Sequence, residues 1–101
     1  MFSSIRIGDR DVGDNCPVYI IAEIGVNHNG DPNILCELLQ VAHEAQCDAV
    51  KFQKRTVDVV YSREELAKPR ETPFGKTNGD LKRHLELAES HYTYIASSCA
   101  R

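Results

Sequence analysis

Two stretches decide the fold: Val18-Tyr19-Ile20-Ile21-Ala22-Glu23-Ile24 and, further on, Asp48-Ala49-Val50-Lys51-Phe52-Gln53. The first is β-branched and almost continuously apolar, the pattern of a parallel strand covered on both faces, with Glu23 as the exception. Gly25 to Asp31 then has the composition of a loop, and Asp31-Pro32 reads as a helix N-cap followed by proline at the first helical position. Ile34, Leu35, Leu38, Val41, Ala42 and Ala45 recur at helical spacing over about four turns, with Glu37, Gln40 and Glu44 on the other face. The second strand follows after a short αβ connection. Strand, helix and strand in this order form a right-handed crossover between parallel strands, so the class is α/β. A barrel and an open sheet both satisfy that pattern.

Outward from this unit, residues 5–14 alternate apolar and polar on either side of Asp9-Arg10, which predicts a small peripheral hairpin. The tract 54–80 reads as irregular. It has one short helix at the capping box Ser62-x-x-Glu65 and then Pro69, Pro73, Gly75 and Gly79 as breakers. From Asp80 onward Leu81, Leu85, Ala88, Tyr92, Ile95, Ala96 and Cys99 space as a helix face, in two pieces around Glu89-Ser90. The sequence shows no solenoid repeat and no low-complexity segment.

Composition narrows the function classes. A length of 101 residues allows one domain at most, and 42% hydrophobic against 27% charged residues is globular. Twelve basic and fifteen acidic side chains leave a net charge of −3, too small for the field that a nucleic-acid partner requires. The longest apolar run, Val18 to Ala22, is far short of the roughly 20 residues that span a bilayer, so no membrane segment is expected. Met1 to Arg6 lacks the apolar stretch of a secretory signal, and the expected location is cytoplasmic. Cys16, Cys36, Cys47 and Cys99 never approach a C-x-x-C spacing, which argues against a zinc knuckle; they are expected to be structural thiols, small buried hydrophobes.

Strand alternation puts Ala49, Lys51 and Gln53 on one side and Val50 and Phe52 on the other, where the helices should lie. Tyr19, Ile21 and Glu23 likewise share a face, so Glu23 can meet Lys51 across the parallel pair. An ammonium taken out of water needs a carboxylate or an anionic ligand to compensate it. The pair reads either as an internal ion pair completing a polar layer or as part of a site, since α/β proteins place ligands at the C-terminal ends of parallel strands. Asn27, His28 and Asn29 read as turn formers before Gly30, with ligand contact as the alternative. His43, His84 and His91 have no i, i+4 histidine partner and read as solvated or capping residues. Gly25-x-x-x-x-Gly30 lacks the Lys and Ser/Thr of a phosphate-binding loop.

Tyr19-Ile-Ile-Ala-Glu-Ile-Gly-Val-Asn-His-Asn-Gly-Asp31 followed by Asp48-Ala-Val-Lys-Phe-Gln53 resembles the N-terminal part of the sialic acid synthase family. Ile5-Arg-Ile-Gly8, Lys68-Pro-Arg-Glu-Thr-Pro-Phe-Gly75 and Lys82-Arg-His-Leu-Glu86 extend the resemblance over nearly the whole chain. It implies a (β/α)8 TIM barrel followed by an antifreeze-like domain, which condenses phosphoenolpyruvate with N-acetylmannosamine or a related amino sugar. Such a barrel takes about 250 residues, so residues 1–101 correspond to an N-terminal fragment holding about two βα units and an N-terminal hairpin, inactive by itself. By the same resemblance, Glu23 handles a proton near the forming bond, Lys51 holds the phosphoenolpyruvate anion, Gln53 reaches substrate hydroxyl or acyl groups, and Asn78 contacts the sugar. A divalent metal ion, manganese or magnesium, is implied with its histidine ligands beyond Arg101, as is a homodimer. The animal-type look of Gly75-Lys-Thr-x-Gly79 suggests N-acetylmannosamine 6-phosphate as an alternative acceptor. A non-catalytic binding or regulatory module is the alternative from another class. The sequence departs from the family at Gln46-Cys47, where Gly-Ala is usual. Losing that glycine costs about 1 kcal/mol if the helix end needs a left-handed residue.

Overall fold

The structure, a computed structural model, describes residues 3–100. Strand β1 (Ser4–Ile7) pairs antiparallel with β2 (Arg10–Gly13) through a turn containing Gly8, the expected hairpin. Strand β3 (Ile21–Gly25), helix α1 (Pro32–Glu44) and strand β4 (Ala49–Phe52) follow, and β3 and β4 are parallel. Beyond them lie α2 (Val57–Val60), α3 (Arg63–Ala67), an antiparallel hairpin β5 (Pro69–Thr72) with β6 (Gly75–Thr77), α4 (Asn78–His84) and α5 (Glu89–Cys99). The described residues thus form a mixed α/β arrangement with three two-stranded sheets.

Helix α1 begins where the sequence indicates. Asp31 is its N-cap, accepting a hydrogen bond from Asn33 N at 2.8 Å, with Pro32 in the first turn. Leu35 and Ala42 are buried, and Leu35 joins Leu87 and Ile95 in the core, with Leu39, Phe52 and Tyr92 packed against it. Val41 was expected on the buried face but is exposed. Phe52 faces this core, as the strand alternation requires.

Strand β3 is shorter than its apolar run. It starts at Ile21 because the backbone of Ile20 is already committed to the entry of β4: its carbonyl accepts from Asp48 N at 2.8 Å and Ala49 N at 3.2 Å, and its N–H donates to Asp48 Oδ2 at 2.8 Å. Nor is the strand covered on both faces, since Val18, Ile20 and Ile21 are exposed. Core packing reaches this small sheet from the helix side only.

The tract 54–80 has more regular structure than its breakers suggest. Ser62 Oγ accepts from Glu65 N at 3.1 Å, but the Glu65 carboxylate pairs with Lys68 at 2.8 Å rather than completing the box. Pro69 stands at the first position of β5, where a missing N–H is tolerated. Thr72 closes the hairpin, with Oγ1 accepting from Phe74 N and donating to Gly75 O, both at 3.1 Å. A capping box that the sequence reading missed starts α4, two residues earlier than expected: Thr77 Oγ1 accepts from Asp80 N at 3.1 Å and Asp80 Oδ2 accepts from Thr77 N at 3.3 Å. The two helical pieces are present as expected, but the break falls at residues 85–88, ahead of Glu89-Ser90, and His91 takes a capping role, its Nδ1 accepting from Ala88 N at 3.1 Å.

Helix α1 ends in a Schellman arrangement, with Gln46 N bonded to His43 O and Cys47 N to Ala42 O. Gln46 has φ 61°, so the left-handed conformation is indeed required of a residue with a side chain. Gln46→Gly is expected to stabilise the chain by about 0.5–1 kcal/mol, read as a raised urea midpoint.

The N–H of Ile20 and, after it, the Arg10 guanidinium hold the Asp48 carboxyl below its ordinary value of 3.8. The charged form is therefore favoured in the folded state. Its stabilisation is complete above the unfolded value and is lost as pH falls through the folded one. Asp48→Ala should lower stability at neutral pH and flatten the loss on acidification. Denaturant midpoints followed from about pH 5 down to about pH 2 check both effects.

Candidate active site

Glu23 and Lys51 are direct partners in the β3–β4 register, and Lys51 Nζ lies 3.1 Å from Glu23 Oε2. The register shifts after Glu23, at Gly25, which has φ 58°. A methyl group on Gly25 would stand 3.4 Å from Glu23 Oε1 and 3.8 Å from Gln53 Oε1, so the glutamate and the glutamine flank this glycine. Gln53 N donates to Gly25 O at 3.4 Å. The structure therefore brings Glu23, Lys51 and Gln53 together at the C-terminal ends of two parallel strands.

The pair is not desolvated as the sequence reading expected. The side chains of Lys51 and Glu23 are 49% and 57% exposed, and an ion pair in that setting contributes no more than about 1 kcal/mol to stability. Structural completion of a polar layer is a weak reason for it. Asn78 lies apart, on the first turn of α4, with Nδ2 donating to Glu65 O at 3.2 Å and Arg70 Nη1 donating to its Oδ1 at 3.5 Å.

Behind the pair lies a cluster that the sequence reading did not assemble. Asn27, His28 and Asn29 form the turn after β3, as their turn-forming reading expected, with Asn29 and Gly30 left-handed at φ 56° and 71°. His28 is fully buried, its ring centroid 6.1 Å from that of Phe52. Arg55, just past β4, donates from N and Nε to Glu86, each at 3.1 Å, and from Nη1 to Tyr61 OH at 2.7 Å. Among the described residues His28 Nε2, Arg55 Nη2 and Tyr92 OH are buried polar atoms with no protein partner, each costing about 1–3 kcal/mol if left unsatisfied. Burial pushes the His28 imidazole below 6.5, against the pull of Glu86, and pushes the Tyr92 hydroxyl up. In the sequence Arg55 and Glu86 are 31 positions apart, and neither sits in a pattern that signals a partner.

A separate groove lies elsewhere. It has a volume of about 600 Å³ on the helix side, where α1, β4 and α5 meet, and is lined by Cys36, Cys47, Val50 and Cys99 among others. It holds none of Glu23, Lys51 or Gln53. All four cysteines are free, and Cys36 and Cys99 are exposed rather than buried as expected. Among the described residues no three His, Cys, Asp or Glu side chains converge as a metal ion would require, and no helix is long and apolar enough to cross a membrane.

A carboxylate and an ammonium in register near the C-terminal ends of parallel strands occupy the position where α/β proteins place their ligands. The model of the NeuB family matches residues 38–101. Over 90 residues the chain is 39% identical to the N-acetylneuraminate-9-phosphate synthase of Mus musculus, covering 87% of this chain and 25% of that protein. It is 36% identical over 96 residues to the N,N'-diacetyllegionaminic acid synthase of Legionella pneumophila, covering 92% and 27%. The chain belongs to the NeuB family. It spans about a quarter of the length of these relatives. The solved N-acetylneuraminic acid synthetase of Leptospira borgpetersenii, in complex with citrate, shares the fold at TM-score 0.75 and 24% identity, over 99% of this chain and 31% of its own.

The loop after the pair also sets a steric limit. A Cβ on Gly30 would come 2.1 Å from the carbonyl oxygen of His84, at a φ that side chains rarely adopt. Gly30→Ala is expected to cost roughly 2 kcal/mol or more, measured by thermal unfolding.

Proposed function

We propose that this chain supplies the phosphoenolpyruvate-binding part of a nonulosonate synthase that condenses phosphoenolpyruvate with N-acetylmannosamine or a related amino sugar. The observation that carries this reading is the Glu23–Lys51 pair, 3.1 Å apart and half-exposed at the ends of β3 and β4. A half-exposed lysine is free to trade its carboxylate partner for an anionic ligand, and its compact charge suits a phosphate or carboxylate. Once Lys51 turns to the anion, Glu23 is released to hold or move a proton near the forming bond. Gln53, on the far side of Gly25, orients a substrate hydroxyl or acyl group. Asn78 contacts the sugar only after leaving Glu65 and Arg70. The implied manganese or magnesium ion would polarise the sugar aldehyde, and the described residues offer it no ligand set. The homodimer belongs to the same reading.

A phosphorylated acceptor is the second reading, supported by the similarity to the N-acetylneuraminate-9-phosphate synthase of Mus musculus. Supplying N-acetylmannosamine and its 6-phosphate side by side separates the two.

In a catalytically active protein containing this segment, Lys51→Ala should weaken phosphoenolpyruvate binding by roughly 1.5–3 kcal/mol, measured by calorimetry. Unchanged affinity would remove Lys51 from the site. Glu23→Gln keeps shape and hydrogen-bonding reach, so turnover should fall while substrate binding stays nearly intact. Wild-type turnover in that variant would make the pair structural.

A further inference from the structure

His28 lies in the turn that follows β3, with its ring 6.1 Å from that of Phe52 on β4. Gly30 N donates to His28 Nδ1 at 2.9 Å, so that nitrogen presents a lone pair and the proton of the neutral ring sits on Nε2. The His28 carbonyl accepts from Asp31 N at 3.0 Å, and Asp31 is the N-cap of α1. These two bonds clamp the left-handed Asn29-Gly30 turn that joins β3 to the helix. On its other side the ring packs toward Phe52, the residue between Lys51 and Gln53.

We propose that His28 is a positioning residue whose neutral ring, with Nδ1 committed to Gly30, locks the loop behind the Glu23–Lys51 pair and releases it on protonation. The proposal rests on the reading of that pair as catalytic. A proton on Nδ1 would point at the Gly30 N–H, setting two donors head to head, so the turn bond is lost as the charge appears. From the α4–α5 connection Glu86, already bound by Arg55, favours the charged ring. His91 on α5 opposes it, Tyr92 lies beside Glu86, and the His84 carbonyl at the end of α4 abuts Gly30. Burial outweighs Glu86 and keeps the ring neutral. As pH falls below 6.5 the unfolded chain takes up this proton before the folded one, so stability declines from there downward.

Two variants separate the ring nitrogens. His28→Asn keeps an acceptor at the position of Nδ1 and cannot titrate, whereas His28→Gln moves its amide to the position of Nε2 and leaves Gly30 N–H unanswered. In the ¹⁵N-histidine-labelled chain, NMR should report the Nε2–H tautomer for His28. Exchange of the Gly30 amide should be slow in the wild type and in His28→Asn, and faster by on the order of tenfold in His28→Gln. The stability loss beginning near pH 6.5 should be reduced in His28→Asn. In an active protein containing this segment, His28→Asn should keep kcat with its acid limb moved to lower pH, while His28→Gln loses roughly ten- to a hundredfold in kcat. An Nδ1–H tautomer, or identical behaviour of the two variants, overturns the proposal. Absence of synthase turnover even in the wild type would instead sink the functional reading, leaving the tautomer and exchange results to decide the lock.

Discussion

The register between β3 and β4 is the constraint on which the site depends. In a strand pair a slip of one residue turns every side chain to the opposite face, which would bury Lys51 among the helices and expose Phe52. Asp48 guards against that slip by meeting Ile20 with its backbone N–H and its carboxylate together. Arg10 reaches across from the hairpin to hold the same carboxylate, and its guanidinium lies 5.6 Å from the Tyr19 ring centroid. The hairpin, peripheral in the sequence, thus acts on the alignment of Glu23 with Lys51 through one residue.

The two sides of the strand ends obey different electrostatics. In front, Glu23 and Lys51 remain in contact with water, where their attraction is weak and easily exchanged for a ligand. Behind, Arg55 and Glu86 are largely shielded, and breaking that pair would strand a charge where solvent cannot compensate it. A loose pair supported by a tight one suits a site that must release one partner to bind an anion without losing its frame.

Glycine and its absence mark where backbone geometry is demanding. Gly30 has no room for a side chain because the end of α4 lies against it, so the loop after β3 and the helix before α5 are held in mutual contact. Gln46 adopts the same left-handed region at the end of α1 with a side chain in place. The first is a steric requirement of tertiary packing and the second a conformational strain that the chain tolerates.

The parallel unit, the start of α1 at Asp31, the N-terminal hairpin, the two helical pieces of the last segment and the meeting of Glu23 with Lys51 were all legible in the sequence. Each rests on local periodicity, a cap or strand alternation, which act over a few residues and need no knowledge of distant neighbours. The β5–β6 hairpin was hidden because Pro69, Pro73 and Gly75 look like breakers until strand pairing assigns them to an edge and a turn. The exposure of Lys51, the burial of His28 and the pairing of Arg55 with Glu86 were decided only by tertiary structure. Burial depends on which segments come to rest against a side chain, and that follows from long-range packing rather than from the residues beside it in the sequence.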